Sequence, residues 1–198
     1  MSNYKNIINK NLADVNQANY YWFKNAFTDD EIDKIHNFAS KYEFRKGGIG
    51  KEGTINKIRN SKIKWLPSKS ESEWLYEKIF DYTKKANDAV YKFRLHYSED
   101  SFQYSLYEGN VNGKYDWHLD IGMGSLALRK LSGVLLLSDP SEFEGGELQI
   151  FKGSNPVTVP LKKGSLVFFP SFMLHRVTPV TSGERRTLVF WIGGDHYL

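Results

Sequence analysis

The chain has 198 residues, with 27 Lys and Arg against 23 Asp and Glu, a formal charge of +4 and an isoelectric point of about 9.0. It contains no cysteine, which excludes a disulfide framework and any thiolate metal site, and no apolar run reaches membrane-spanning length. Hydrophobic residues at 40% and aromatic residues at 15% suffice for one sizeable core, so a single domain over 1–198 is expected.

Residues 1–19 are polar and Asn-rich and read as an irregular arm. Their opening, Met1-Ser2-Asn3-Tyr4-Lys5-Asn6, lacks the charged-then-apolar layout of a secretory leader, which together with the missing cysteines favours the cytoplasm. Helices and first strands are expected over 20–100. Thr28-Asp29-Asp30-Glu31 has the form of a capping box, and Ile32, Ile35, Phe38, Ala39 and Tyr42 follow at helical spacing, predicting a helix over 29–42. Gly47, Gly48, Gly50 and Gly53 mark a basic loop over 46–57, which reads equally as a lid that closes over a substrate and as an ordinary β-hairpin tip. Ser70-Glu71-Ser72-Glu73 reads as a second capping box before a longer helix over 71–90, with Trp74, Leu75, Ile79, Tyr82, Ala86 and Ala89 as its apolar stripe. Beyond about residue 93 the period becomes alternating. Strands are expected at 101–108, 114–119, 131–138, 147–151, 156–160, 165–169 and 185–192, separated by Gly, Pro, Asp and Ser clusters. Such a run predicts a jelly-roll core over 101–192, a mainly β fold with the two helices covering one outer sheet face.

Two histidines and one carboxylate in that core stand out as a metal-ligand set. His118 and Asp120 form an H-x-D pair, which presents both side chains on one face if the segment is extended. His175, in Phe169-Pro170-Ser171-Phe172-Met173-Leu174-His175, can join them only through the fold. Two histidines and a carboxylate are the facial triad of non-haem Fe(II) sites. Arg185 and Arg186 then open a strand whose two faces are both largely apolar, so alternation alone does not choose between them. Whichever is buried needs an anionic partner, and a dicarboxylate would supply it.

The stretch from Phe102 to Ile192 resembles the catalytic core of the prolyl/lysyl-hydroxylase-like branch of the Fe(II)/2-oxoglutarate-dependent oxygenases. Tyr107-Glu108-Gly109-Asn110, followed by Gly113-Lys114-Tyr115-Asp116-Trp117-His118-Leu119-Asp120, is similar to that branch's Y-x-x-G-x-x-Y-x-x-H-x-D run. Gly145-Gly146-Glu147-Leu148 is similar to its G-G-x-L turn, and His175-Arg176-Val177-Thr178-Pro179-Val180 to its distal-His segment. Upstream, Ile58 to Leu66 looks like the strand after the mobile substrate loop of prolyl 4-hydroxylases. The resemblance implies a double-stranded β-helix, with His118, Asp120 and His175 as iron ligands. It implies Arg185 at the distal carboxylate of 2-oxoglutarate, with Trp191 beside that pocket on the same strand face, which favours Arg185 over Arg186. Some prolyl hydroxylases use a tyrosine near the position of Leu136 for that carboxylate; this chain has Val134-Leu135-Leu136-Leu137, so a second hydroxyl would come from Tyr104, Tyr107 or Thr187.

The reaction so implied is hydroxylation of a C–H bond with O₂ and 2-oxoglutarate as co-substrates and ascorbate as an accessory reductant. The preferred substrate is a prolyl residue in a protein or peptide, met by Arg59, Trp65 and Tyr115. The alternatives are a free amino acid or other small molecule, a nucleic-acid demethylase, or a non-catalytic jelly-roll binding module. Scattered charge argues against nucleic acid, as does Trp191, which stands where the repair-type demethylases carry a second arginine.

Overall fold

The computed structural model describes residues 19–48, 58–98 and 101–195. All but the last residue of the predicted arm over 1–19, and residues 49–57 of the predicted loop over 46–57, lie outside the described residues. Strand β1 spans Tyr21–Phe23 and helix α1 Asp29–Ser40. The short strands β2 (Arg45–Lys46) and β3 (Arg59–Asn60) precede β4 (Lys62–Pro67), and helix α2 spans Glu73–Ala86. The remaining strands are β5 (Leu95–Ser98), β6 (Ser101–Glu108), β7 (Lys114–His118), β8 (Arg129–Leu136), β9 (Phe143–Gly145), β10 (Leu148–Lys152), β11 (Asn155–Thr158), β12 (Leu166–Pro170), β13 (His175–Val177) and β14 (Val180–Gly194). No helix of the described residues is long and apolar enough to cross a membrane.

Local chemistry explains the helix boundaries. Thr28 Oγ1 accepts from the Glu31 N–H and the Glu31 carboxylate accepts from the Thr28 N–H, the reciprocal pair that the sequence predicts. The second helix starts differently. Ser70–Ser72 form a 3₁₀ turn, and it is Ser72, not Ser70, that closes it, accepting from the Lys69 N–H at 2.9 Å. The α-helix then ends at Ala86 and passes into a π-helical turn over Asn87–Tyr91, so the predicted single helix over 71–90 is three consecutive pieces.

The strands form two antiparallel sheets, as the jelly-roll expectation requires. The larger runs β1-β12-β8-β14-β6-β4-β2, with β5 and β9 also paired to β14; the smaller runs β11-β10-β13-β7-β3. The stretch resembling one substrate-side strand is divided at Ser61: β3 pairs with β7 in the small sheet and β4 with β6 in the large one.

Helices α1 and α2 bury Ile32, Ile35, Phe38, Leu75, Tyr76 and Ile79 against the outer face of the large sheet, where Phe102, Leu135, Phe168, Leu188 and Phe190 meet them. Burying such side chains stabilises by about 1.5–3 kcal/mol each. Gly133 on β8 is part of this packing, because a Cβ there would stand 2.1 Å from Phe190 Cζ. The opposite face of the large sheet packs on the small one through Val134, Leu148, Ile150, Val167 and Phe169. One end of this inter-sheet layer opens into a cavity of about 410 Å³.

Candidate metal and dicarboxylate site

His118 and His175 face each other across the β7–β13 pair, as direct partners in the antiparallel register. The predicted strand over 114–119 ends at His118, so Asp120 is not on it. Its backbone N–H donates to Ser171 O at 3.0 Å, and this turn rather than strand alternation brings the carboxylate back beside the imidazoles, with Leu119 half exposed. His118 Nε2 lies 3.6 Å from Asp120 Oδ1, and His175 Nε2 lies 3.4 Å from Asp120 Oδ2. One ligand atom from each residue falls within 4.8 Å of the others.

The surroundings hold this donor set in a metal-ready form. His118 Nδ1 sits 2.7 Å from Asp116 O and His175 Nδ1 2.9 Å from Met173 O, so each Nδ1 carries the proton and each Nε2 lone pair faces Asp120. Ser132 Oγ donates to Asp120 Oδ2 at 2.6 Å and lies 3.0 Å from Ser171 Oγ. Phe169 packs 4.6 Å from His175, and the Tyr115 ring stacks on His118 at 3.4 Å. Burial, reinforced by the neighbouring His175, pushes the His118 imidazole down to about 4, keeping it neutral and able to ligate. Burial alone would raise the Asp120 carboxyl. The imidazoles of His175 and His118, the Ser132 hydroxyl and the nearby indole of Trp191 outweigh it and hold the group below its ordinary value. The indole Nε1 itself makes no hydrogen bond of proper geometry. Two imidazole nitrogens and one carboxylate oxygen in this proximity fit Fe(II).

Arg185 lies along the same cavity, on β14 opposite Tyr107 of β6. It is 2% exposed, and among the described residues no carboxylate pairs with it; its guanidinium lies 5.5 Å from the centre of the Tyr107 ring. Burial lowers its pKa to about 10, still above neutrality, so the cation stays charged and lacks an anion. Gly146 makes room for it, since a Cβ there would come 2.7 Å from Arg185 Cδ.

Of the other predicted residues, Tyr107, Thr187 and Trp191 line the cavity, as do Arg59, Trp65 and Tyr115. Tyr104 does not. Strand alternation turns it to the helix side, where its hydroxyl lies 2.9 Å from His36 Nδ1, so it is removed from the candidate co-substrate residues. Three cavity neighbours were not read from the sequence. Ser132 orients Asp120, Gln103 borders the cavity from β6, and Arg129 reaches Asp120 O at 3.2 Å while lying 3.9 Å over the Trp191 ring. The alternation of β6 and β8 could have found Gln103 and Ser132, each being a polar residue in a strand otherwise set for burial.

Residues 102–193 match the 2OG-Fe(II) oxygenase superfamily. A PKHD-type hydroxylase of Hyphomonas neptunium is 49% identical over 82 residues, which cover 39% of this chain and 37% of that protein. The chain therefore aligns with well under half the length of the curated relatives it matches. Among solved structures, a prolyl hydroxylase of Trichoplax adhaerens, in complex with a peptide fragment of the hypoxia-inducible-factor oxygen degradation domain, superposes with a TM-score of 0.73 at 16% identity. The superposition covers 98% of this chain and 94% of that one. A Pseudomonas putida prolyl-4-hydroxylase gives 0.70 at 22% identity, covering 94% and 96%. These likenesses carry the fold. Together with the family match they bear out the resemblance read from the sequence and the double-stranded β-helix it implied.

Proposed function

We propose that this chain, whose residues 102–193 match the 2OG-Fe(II) oxygenases, hydroxylates a C–H bond using Fe(II), O₂ and 2-oxoglutarate, and that its substrate is a prolyl residue in a protein or peptide. One observation carries the proposal: a compact His118, Asp120 and His175 donor set shares a cavity with a buried arginine that has no carboxylate partner among the described residues. Iron bound by these three side chains would, with 2-oxoglutarate and O₂, supply the oxidising power that converts C–H to C–OH while 2-oxoglutarate yields succinate and CO₂.

The protein's own residues do the rest. The two Nδ1 contacts and the Ser132 hydroxyl hold the three donors in orientation, so little reorganisation accompanies metal binding. Arg185 offers a fork-shaped pair of N–H donors to the far carboxylate of 2-oxoglutarate, and Thr187 and Tyr107 supply hydroxyls beside it. Val134, Leu148 and Val189 form apolar walls that keep water from the bound co-substrate. Arg59, Trp65 and Tyr115 form the substrate side. The prolyl assignment is supported by the prolyl-hydroxylase fold and by this aromatic and cationic edge.

The test is anaerobic addition of Fe(II) and 2-oxoglutarate, which should give a weak visible charge-transfer band. Air, ascorbate and proline-containing peptides should then give succinate and a peptide heavier by one oxygen atom. Absence of both band and succinate would refute the oxygenase reading. Succinate with hydroxylation confined to non-prolyl substrates would refute the prolyl one.

A further inference from the structure

Arg59 is 4% exposed on β3, and one nitrogen of its guanidinium is left without a hydrogen bond. Nε donates to Ser61 Oγ at 2.8 Å and the group lies 4.5 Å over the Tyr115 ring, while Nη2 has no hydrogen-bond partner. Because Tyr115 stacks on His118, this cation stands one aromatic ring away from a proposed iron ligand. The backbone closes over it at Gly47, where a Cβ would lie 2.4 Å from Ser61 Oγ and 2.7 Å from Arg59 Nε. A buried cationic donor without an acceptor is costly, and keeping one beside a cavity leaves a position for a ligand acceptor.

The charge of the cavity indicates which acceptor. Its described lining carries the guanidiniums of Arg59, Arg129 and Arg185 and the single carboxylate of Asp120. If the proposed function holds, the charges of Fe(II) and the 2-oxoglutarate dianion cancel, and Asp120 offsets one arginine. Two positive charges then remain in a low-dielectric space, which attracts an anion. Arg129 is engaged with Asp120 O and the Trp191 ring, whereas Arg59 Nη2 is unmatched. We propose that the substrate carries a carboxylate close to the hydroxylated carbon and that Arg59 is the specificity-determining residue that binds it.

Two matched probe pairs test this. L-proline against L-prolinamide supplies the carboxylate from the α-carbon. A terminally capped peptide with proline followed by glutamate, against the same peptide with glutamine, supplies it from a side chain. Binding is read under nitrogen by tryptophan fluorescence, through Trp65 and Trp191 at the cavity, and turnover by substrate-dependent succinate. In the wild type the acid member of one pair should bind at least about tenfold more tightly, as a charge-assisted hydrogen bond implies. Which pair shows it identifies the source. Arg59→Gln should collapse the acid-to-amide ratio to near one, and Arg59→Lys should restore part of it; general damage to the fold would weaken both members alike and leave the ratio in place. Equal behaviour of acid and amide in both pairs, including no binding by either, or a ratio that survives Arg59→Gln, overturns the proposal. An acid preference in a protein that makes no succinate would overturn the oxygenase reading and leave the Arg59 subsite standing.

Discussion

Arg185 and Arg186 are adjacent in the chain and lie on opposite faces of β14. Arg185 borders the cavity, buried and without a carboxylate among the described residues. Arg186 points to the other side, half-buried, ion-paired with Glu184, its N–H donating to Ser138 Oγ at 2.8 Å. Only the first can meet a ligand in the cavity. Removing one partner of a buried charge pair typically costs ~3–5 kcal/mol. Arg185→Met should therefore weaken 2-oxoglutarate binding by at least two orders of magnitude, on the order of what that cost implies, and abolish the upward shift in melting temperature that 2-oxoglutarate gives the wild type. Arg186→Met should retain both. Equal losses in the two variants would sink the strand-face assignment.

The metal prediction follows from the three-donor set. His118→Ala, His175→Ala and Asp120→Glu should each abolish iron-dependent succinate formation, the last because a carboxylate moved by one methylene leaves a geometry that tolerates roughly half an ångström. Ser132→Ala is subtler. It keeps all three donors but frees Asp120 Oδ2 from its 2.6 Å hydrogen bond. Loss of such an outer contact typically weakens metal binding by about 10–100-fold. Anaerobic Co(II) titration would measure it, and wild-type affinity in Ser132→Ala would show that the hydroxyl does not orient the carboxylate.

The site was legible in the sequence where its chemistry sits in short motifs. His118, Asp120, His175 and Arg185 converge because β7 with the turn after it, β13 and β14 bring them to one end of the inter-sheet layer, and their residue types announce the ligands they could hold. Tyr104 shows the opposite case. It stands three positions before Tyr107 on β6, an odd step, so alternation turns the two hydroxyls to opposite faces, and one meets His36 beneath the helices. Alternation along β8 marks Ser132 as a polar residue on a buried face, but what it and Arg129 do follows only once β8 lies beside Asp120. The fold class followed from periodicity, but β1, β3 and β13 did not. Each has two or three residues and is held by a partner distant in sequence, so no local pattern marks it.

Acid should destabilise the metal-free protein in a defined window. A histidine takes up its proton near 6.5 in the unfolded chain, whereas burial and His175 push His118 down to about 4 in the folded one. Between those values the unfolded state binds more protons, so stability rises with pH through the window and is lost as pH falls from about 6.5 to about 4. Asp120, held below its ordinary value, extends the loss to lower pH. Melting temperatures measured in a chelator should fall across this range, and His118→Gln, which cannot be protonated, should flatten the upper part. An unchanged slope in that variant would exclude His118 as the titrating group.

The Gly145-Gly146 turn gives a prediction that separates backbone strain from ligand geometry. Gly146 has φ +63, where a side chain costs ~1–2 kcal/mol, and its Cβ would stand 2.7 Å from Arg185 Cδ and 2.9 Å from Val180 Cγ2. Gly153 has a nearly identical φ of +66 and nothing within 4 Å of a Cβ. Gly153→Ala therefore carries the strain without the collision and serves as the control. Both variants should lose a similar increment of melting temperature from the left-handed backbone. Only Gly146→Ala should push the Arg185 side chain out of line with the cavity and weaken 2-oxoglutarate binding, by roughly tenfold if a single charge-assisted hydrogen bond is lost. The metal site lies on other strands, so Co(II) affinity should follow the control. Combining Gly146→Ala with Arg185→Met should cost no more 2-oxoglutarate affinity than Arg185→Met alone, since both changes act on the same guanidinium. Additive losses, or equal 2-oxoglutarate affinity in the two alanine variants, would mean that the turn supports the fold and not the arginine.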